Sequence, residues 1–317
     1  MSYIHQDQDF DALLRLVAQK RGLAVGLVEK DYWVTHTLWA LKQSGLEVWF
    51  KGGTSLSKGY GLLQRFSEDL DLKLAAGKEV SLPAVSNWKG DGTKAVASRH
   101  EFFEALASAI KVPGAKVGLG PDQDKLWRFA AMQVRYTVKH QEPADVLRPF
   151  VLLEVGEARV TPFEARSLSS FVHDELDAQG KAGDYEANRP ENLRCVHPMV
   201  TLIEKLDAIS RRFPNAKVAP AAFVRHYEDA ARIAQAKGLP ALAGYGTNKA
   251  LAEDLAAQKQ IVAWPRPEDP AWAFGKGERW QELEAARQAI GPMFWGPRMG
   301  LKECCGILEA WIAKELK

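Results

Sequence analysis

The 317 residues are 46% hydrophobic and 26% charged, a mix that excludes disordered and fibrous classes and allows one large domain or two ordinary ones. Lys and Arg total 42 against 40 for Asp and Glu, so the net charge of +2 gives no global attraction for polyanions, and any such site must be a local patch. Apolar runs such as FVLLEV, Phe150 to Val155, fall far short of the roughly 18 residues of a spanning helix, and the opening MSYIHQDQDFDALL lacks the basic-then-apolar order of a signal peptide, so a cytoplasmic protein is expected.

Apolar positions at helical spacing predict amphipathic helices over Asp9 to Lys20 and Gly26 to Lys42, the second carrying Val28, Trp33, Leu38 and Leu41. Val48, Trp49 and Phe50 read as a short strand closed by Gly52 and Gly53, followed by a helix from Thr54 to Tyr60 with Thr54 as its cap. From Asp69 to Leu74 the letters alternate strictly, with Asp69, Asp71 and Lys73 on one face and Leu70, Leu72 and Leu74 on the other, the period of a half-buried strand. A helix is expected over Ser98 to Ile110 and strands over Gln133 to Val138 and Phe150 to Val155, where the sheet is expected to end. Beyond Asn192 the pattern is helical, over Met199 to Arg212, Ala221 to Lys237, Lys249 to Val262, Glu278 to Ile290 and Leu301 to Lys314. Trp264, Trp272, Trp280, Trp295 and Trp311 fall in this stretch and are read as packing anchors rather than a base-stacking platform. Cys195 stands alone and Cys304 is adjacent to Cys305; neither arrangement has zinc-ligand spacing, so buried thiols are expected. The polar segment GDYEANRPEN, Gly183 to Asn192, marks a boundary between an α/β part with a small mixed sheet, residues 1–190, and an all-helical part, residues 191–317.

The stretch FKGGTSLSKGYGLLQRFSEDLDLKL, Phe50 to Leu74, carries the chemistry. Carboxylates two residues apart on a strand point the same way, so Asp69 and Asp71 can share divalent ions through hard oxygen ligands, as magnesium requires. Alternation alone also produces such pairs on solvated strands; the glycines distinguish this one. Gly52 and Gly53 just before a helix let backbone amides approach the phosphates of a nucleotide, and Ser55 either donates to a phosphate or satisfies the helix start. A triphosphate there, with metal on the aspartates, makes a phosphoryl-transfer site. There is no Gly-x-Ser-x-Gly elbow, His-Glu-x-x-His or Walker loop, and the seven histidines are scattered.

GGTSL followed by RFSEDLDL resembles the nucleotidyltransferase core of the DNA polymerase beta superfamily, and specifically the AbiEii/AbiGii toxin family. Three further pieces are similar to that family: VEKDYWVTHTLWAL upstream, FVLLEVG, and TLIEKLDAISRR followed by FVRHYEDAARI. The order and spacing of the pieces, from Val28 to Ile233, make the resemblance more specific than any one of them. It implies an α/β nucleotidyltransferase core followed by a C-terminal helical domain. It implies further that Asp69, Asp71 and Glu154 bind metal, with two magnesium ions (or manganese) and a nucleoside triphosphate as substrate. Phe150, Leu152 and Glu154 share a strand face, so a strand beside Asp69 to Leu74 would bring Glu154 up as a third carboxylate, with Glu157 the alternative if the register is shifted.

By the same resemblance Lys205 contacts the triphosphate and Asp229 organises the nucleotide side, with Arg225 orienting it; an ordinary helix ion pair between Arg225 and Asp229 is the plainer reading. Gly52, Gly53, Thr54, Ser55 and Arg65 complete the expected nucleotide contacts, Arg65 being equally well a surface residue. Ser67, close to Asp69, is a candidate for silencing by phosphorylation, since a dianion there would compete with triphosphate for metal. The implied reaction is transfer of a nucleoside monophosphate to an acceptor hydroxyl with release of pyrophosphate, in a toxin-antitoxin or abortive-infection system whose antitoxin is encoded separately. The 3′ end of transfer RNA is the expected acceptor, with Arg211, Arg212, Arg225, Lys237 and Lys249 as candidate backbone contacts. A protein or small-molecule acceptor, and a nucleotide- or RNA-binding module without catalysis, are the alternatives.

Overall fold

The computed structural model describes residues 1–67, 69–121, 123–142 and 147–317. Glu68, part of the aspartate-bearing motif, lies outside the described residues. In chain order the elements are α1 (Phe10–Arg21), α2 (Val25–Gln43), β1 (Glu47–Lys51), α3 (Gly52–Lys58), β2 (Asp69–Ala75), α4 (Thr93–Ala109), β3 (Ala115–Leu119), β4 (Phe129–Tyr136), β5 (Val151–Gly156), β6 (Phe163–Arg166), α5 (Phe171–Ala178) and β7 (Leu193–Val196). Helices α6 (Pro198–Arg212), α7 (Val224–Gln235), α8 (Asn248–Ala257), α9 (Glu278–Ala289) and α10 (Leu301–Glu315) follow. The residues form two compact units: 1–59, 67–160 and 165–195 in the first, and 60–66, 161–164 and 196–317 in the second. Among the described residues no helix is long and apolar enough to cross a membrane.

The sheet is mixed, in the order β3-β4-β5-β2-β1-β7-β6. The pairs β1–β2, β3–β4 and β4–β5 run antiparallel, while β2–β5 and β1–β7 run parallel. It therefore continues past Val155, against expectation. The strands β6 and β7 have four residues each, too few for an alternation to stand out from a loop. The alternation of β2 is realised: Leu70, Leu72 and Leu74 are buried with Val151, Leu153 and Val155 of β5, leaving the odd-numbered positions of β2 on the half-buried face.

Helix α2 departs from the amphipathic helix expected, because from Gly26 to Leu38 it is buried on all sides. Its three charged residues in this stretch are inside because each finds a partner, as burial demands. Glu29 accepts from the Lys139 and His140 amides at 2.9 Å each. Lys30 donates to the Arg148 carbonyl at 2.6 Å and also to that of Phe150. Asp31 pairs with Lys58 and accepts from the Phe171 amide at 2.8 Å. The three cysteines are free, buried thiols, as expected; burial pushes Cys195 up to about 11 and Cys304 to about 12.

A chain of neutral histidines locks α2 to its surroundings. Asn188 Nδ2 donates to Tyr32 Oη and to His36 Nδ1, each at 2.9 Å, so His36 must donate from Nε2 to the Pro113 carbonyl, also at 2.9 Å. Asn188 Oδ1 accepts from His173 Nε2 at 2.7 Å, and Ser170 Oγ meets His173 Nδ1 at 2.6 Å. A proton added at His36 Nδ1 would set a donor against the Asn188 amide. Burial lowers both His36 and His173 from 6.5 to about 4. The unfolded chain therefore takes up these protons first as pH falls. Stability is full above pH 6.5 and declines toward pH 4, by about 1.4 kcal/mol per histidine for each pH unit at the steepest. Urea titrations at pH 7.5, 6 and 5 followed by tryptophan fluorescence are expected to show that decline; a flat profile over this window would rule out neutral, locked histidines.

Candidate active site

In the first unit the parallel register of β2 and β5 sets Asp71 opposite Glu154 and Asp69 opposite Leu152. On the other side β1 sets Lys51 opposite Asp71 and Trp49 opposite Lys73. The carboxylates of Asp69, Asp71 and Glu154 thus belong to one sheet face, with Glu154 exposed and the aspartates half-buried. Glu157, the alternative third carboxylate, is held by Lys73 at 2.6 Å. Asp69 Oδ1 accepts from Arg148 Nη1 at 2.7 Å. Sequence reasoning missed Arg148, and nothing in the letters before β5 singles it out. Lys51, Asp71, Glu154, Glu157 and Phe129 line a cleft of about 290 Å³ on this face. A wider recess of about 1140 Å³ along α4 and β3 holds none of the predicted site residues.

The Gly-Gly turn is shaped by the same carboxylate. Gly52 has φ +75°, a left-handed conformation, and a Cβ on it would overlap Asp71 Oδ2. Helix α3 begins at Gly52 with Lys51 in the cap position, so Thr54 is not the cap that was expected. Its Oγ1 instead donates to the Ser67 carbonyl at 2.9 Å and the Asp69 carbonyl at 2.8 Å, clasping the start of β2. Thr54 and Ser55 are 3% and 1% exposed, so their side chains face inward, and a phosphate at this turn would meet backbone rather than hydroxyls.

Among the described residues no three His, Cys, Asp or Glu side chains converge on one metal position. Magnesium needs fewer: one or two carboxylates suffice, with water and phosphate oxygens completing its shell. Asp69 and Asp71, on one face beside a glycine turn, fit that donor set.

The second unit gathers Arg65, Lys205 and Asp229. Helices α6 and α7 bury Leu202, Leu206, Tyr227 and Ala230, which brings Lys205 and Asp229 inside with them. Arg65 grips Asp229 with both arms of its fork, Nε to Oδ1 at 2.7 Å and Nη2 to Oδ2 at 2.8 Å. Lys205 Nζ donates to Asp229 Oδ2 at 2.8 Å and lies 3.2 Å from His226 Nδ1. Arg65 and Asp229 are 3% and 1% exposed, so Arg65 is not a surface residue, and the carboxylate is engaged by Arg65 and Lys205. Burial alone would raise the Asp229 carboxyl, but the charges of Arg65 and Lys205 hold it far below the usual range. Burial lowers Lys205 against the pull of Asp229, and it lowers His226 strongly, helped by the charge of Lys205. Two cations thus share one anion beside a neutral imidazole that the sequence did not single out, and half-buried Arg225 adds its charge to the group.

Gly52→Ala is expected to destabilise the protein by about 2 kcal/mol or more, through left-handed strain and the overlap with Asp71. Gly306→Ala, in α10 with open space around it, should instead stabilise by about 0.5–1 kcal/mol. Equal melting temperatures for these two variants would refute the close packing at Gly52. Asp229→Asn leaves two buried cations short of their partner and is expected to cost about 3–5 kcal/mol in urea unfolding. Adding Arg65→Met should recover part of that loss; strictly additive losses would show that the pair is not coupled.

A family model described as nucleotidyl transferase AbiEii toxin, type IV TA system, matches residues 37–296. No curated protein and no solved structure matches the chain. The family match begins within α2 and runs through α9, taking in Gly52, Asp69, Asp71, Glu154, Lys205 and Asp229. This chain belongs to the AbiEii nucleotidyltransferase toxin family.

Proposed function

We propose that the protein transfers a nucleoside monophosphate from a nucleoside triphosphate to an acceptor hydroxyl, that of a transfer RNA 3′ end, releasing pyrophosphate and halting growth as the toxin of a type IV system. The observation that carries this reading is the β2–β5 register, which sets Glu154 opposite Asp71 on the open face where the Gly52 turn meets the same aspartate. A binding module has no use for adjacent carboxylates that repel a polyanion. The antitoxin is then a separate chain.

Asp69 and Asp71 would hold the divalent ions, magnesium or manganese, which supply Lewis acidity toward phosphoryl oxygens. Glu154, exposed beside Asp71, accepts the proton of the acceptor hydroxyl. Backbone at Gly52 and Gly53 receives phosphate oxygens at close range. In the second unit Lys205 and Arg225 are the charges proposed to attract the triphosphate, with Asp229 and the buried Arg65 fixing Lys205 in place. Of the basic residues expected along an RNA backbone, Arg211 is tied to Asp207 and Arg212 to the Ala222 carbonyl, whereas Lys237 is exposed. An acceptor strand would therefore rely on a few free charges and on contacts at its end.

The test is incubation with magnesium, each α-labelled nucleoside triphosphate and total bacterial extract, beside an Asp69→Ala/Asp71→Ala protein. Nuclease-sensitive label is expected with the wild type and at least about 100-fold less with the double variant, since both ion-holding groups are gone. Protease-sensitive label would replace RNA by a protein acceptor. Equal labelling by the double variant would overturn the assignment of the aspartates.

A further inference from the structure

Phe129 is 49% exposed although it sits on strand β4, where its backbone is held by β5. Single exposed apolar residues are ordinary. What sets this one apart is its address. In the antiparallel register of β4 and β5, Phe129 faces Gly156 and Ala131 faces Glu154. Alternation then puts Phe129 and Gly156 on the face of Glu154 and Asp71, and all four line the same cleft.

Gly156 keeps the space beside the ring open. A Cβ there would come within 3.1 Å of Phe129 Cβ and 3.2 Å of the Arg128 carbonyl. The result is a bare backbone floor, an aromatic wall, and carboxylates one strand repeat, about 7 Å, further along. A flat ring fits such a slot, and a sugar hydroxyl attached to that ring reaches Glu154.

The sheet order assigns the slot to the acceptor. With the strands running β4-β5-β2-β1, the glycine turn that follows β1 lies on one side of Asp71, and Glu154, Gly156 and Phe129 lie on the other. A triphosphate at the turn and a base on Phe129 would therefore approach Asp71 from opposite sides, as attacking and leaving oxygens must in an in-line displacement.

Resting on the nucleotidyl transfer proposed above, we infer that Phe129 and Gly156 form a shelf on which the terminal base of the acceptor strand stacks, placing its ribose hydroxyl at Glu154. Phe129 is a positioning residue. Stacking is sequence-tolerant, so the shelf takes a single-stranded nucleic acid end rather than a particular base.

The probe is a short single-stranded oligoribonucleotide with 2-aminopurine as its 3′-terminal base, titrated with wild type, Phe129→Ala and Phe129→Trp. The wild type should quench the fluorophore, Phe129→Ala should bind at least about 10-fold more weakly with little quenching, and Phe129→Trp should restore both. In transfer assays Phe129→Ala should raise KM for the oligonucleotide to the same extent and leave KM for the triphosphate unchanged. Quenching by Phe129→Ala equal to wild type, in a protein that still labels RNA, would overturn the shelf while leaving the transferase reading intact. A shift confined to the triphosphate KM would overturn it in favour of the incoming nucleotide. Label appearing on protein instead of RNA would overturn the shelf and the RNA acceptor together.

Discussion

Asp71 and Glu154 carry like charge on neighbouring strands, and the first unit is built to hold them there. Their register is fixed by burial: a slip of one residue would drive the Leu70, Leu72 and Leu74 set to the open face and the aspartates into the core. The entry of β5 is fixed by a buried charge, Lys30, which reaches the Arg148 and Phe150 carbonyls just before the strand begins. Cations stand next to the acids, Lys51 across from Asp71 and Arg148 on Asp69. The turn at Gly52 comes so close to Asp71 that only glycine can occupy it. Each of these features has a cost that a purely structural sheet edge would not carry.

The second unit solves the converse problem, two cations around one carboxylate. Buried ion pairs are weak evidence for stability, because desolvation can exceed the attraction they gain. Their persistence in the Arg65, Lys205 and Asp229 group suits a need for rigid positive charge rather than for a stronger core. The neutral His226 beside Lys205 fits the same picture, since a third buried cation would repel the first two.

The sequence made legible what rests on local period. The alternation over Asp69 to Leu74 and the helical spacing of α6 to α10 predicted elements that the structure contains, because one face of each is buried against the rest of its unit. The placement of Glu154 beside Asp71 was legible as well, from two strand faces taken together. Partnerships far apart in the chain were not: Arg148 and Asp69 are 79 residues apart, and Arg65 and Asp229 are 164 apart. Helix α2 misled for the same reason, as its Glu29, Lys30 and Asp31 look solvent-facing until their distant partners are known. Thr54 looked like a cap because it follows two glycines, yet the helix starts at the first of them and the hydroxyl serves β2.

On the proposed reading Glu154 works on the acceptor hydroxyl and not on triphosphate binding. The most direct measurement is the single-turnover transfer rate of Glu154→Gln at saturating triphosphate, together with the equilibrium binding of that triphosphate. Unchanged binding and a transfer rate lowered by at least about 100-fold, the usual size of a lost general base, are expected. A Glu154→Gln protein that transfers at the wild-type rate would contradict it.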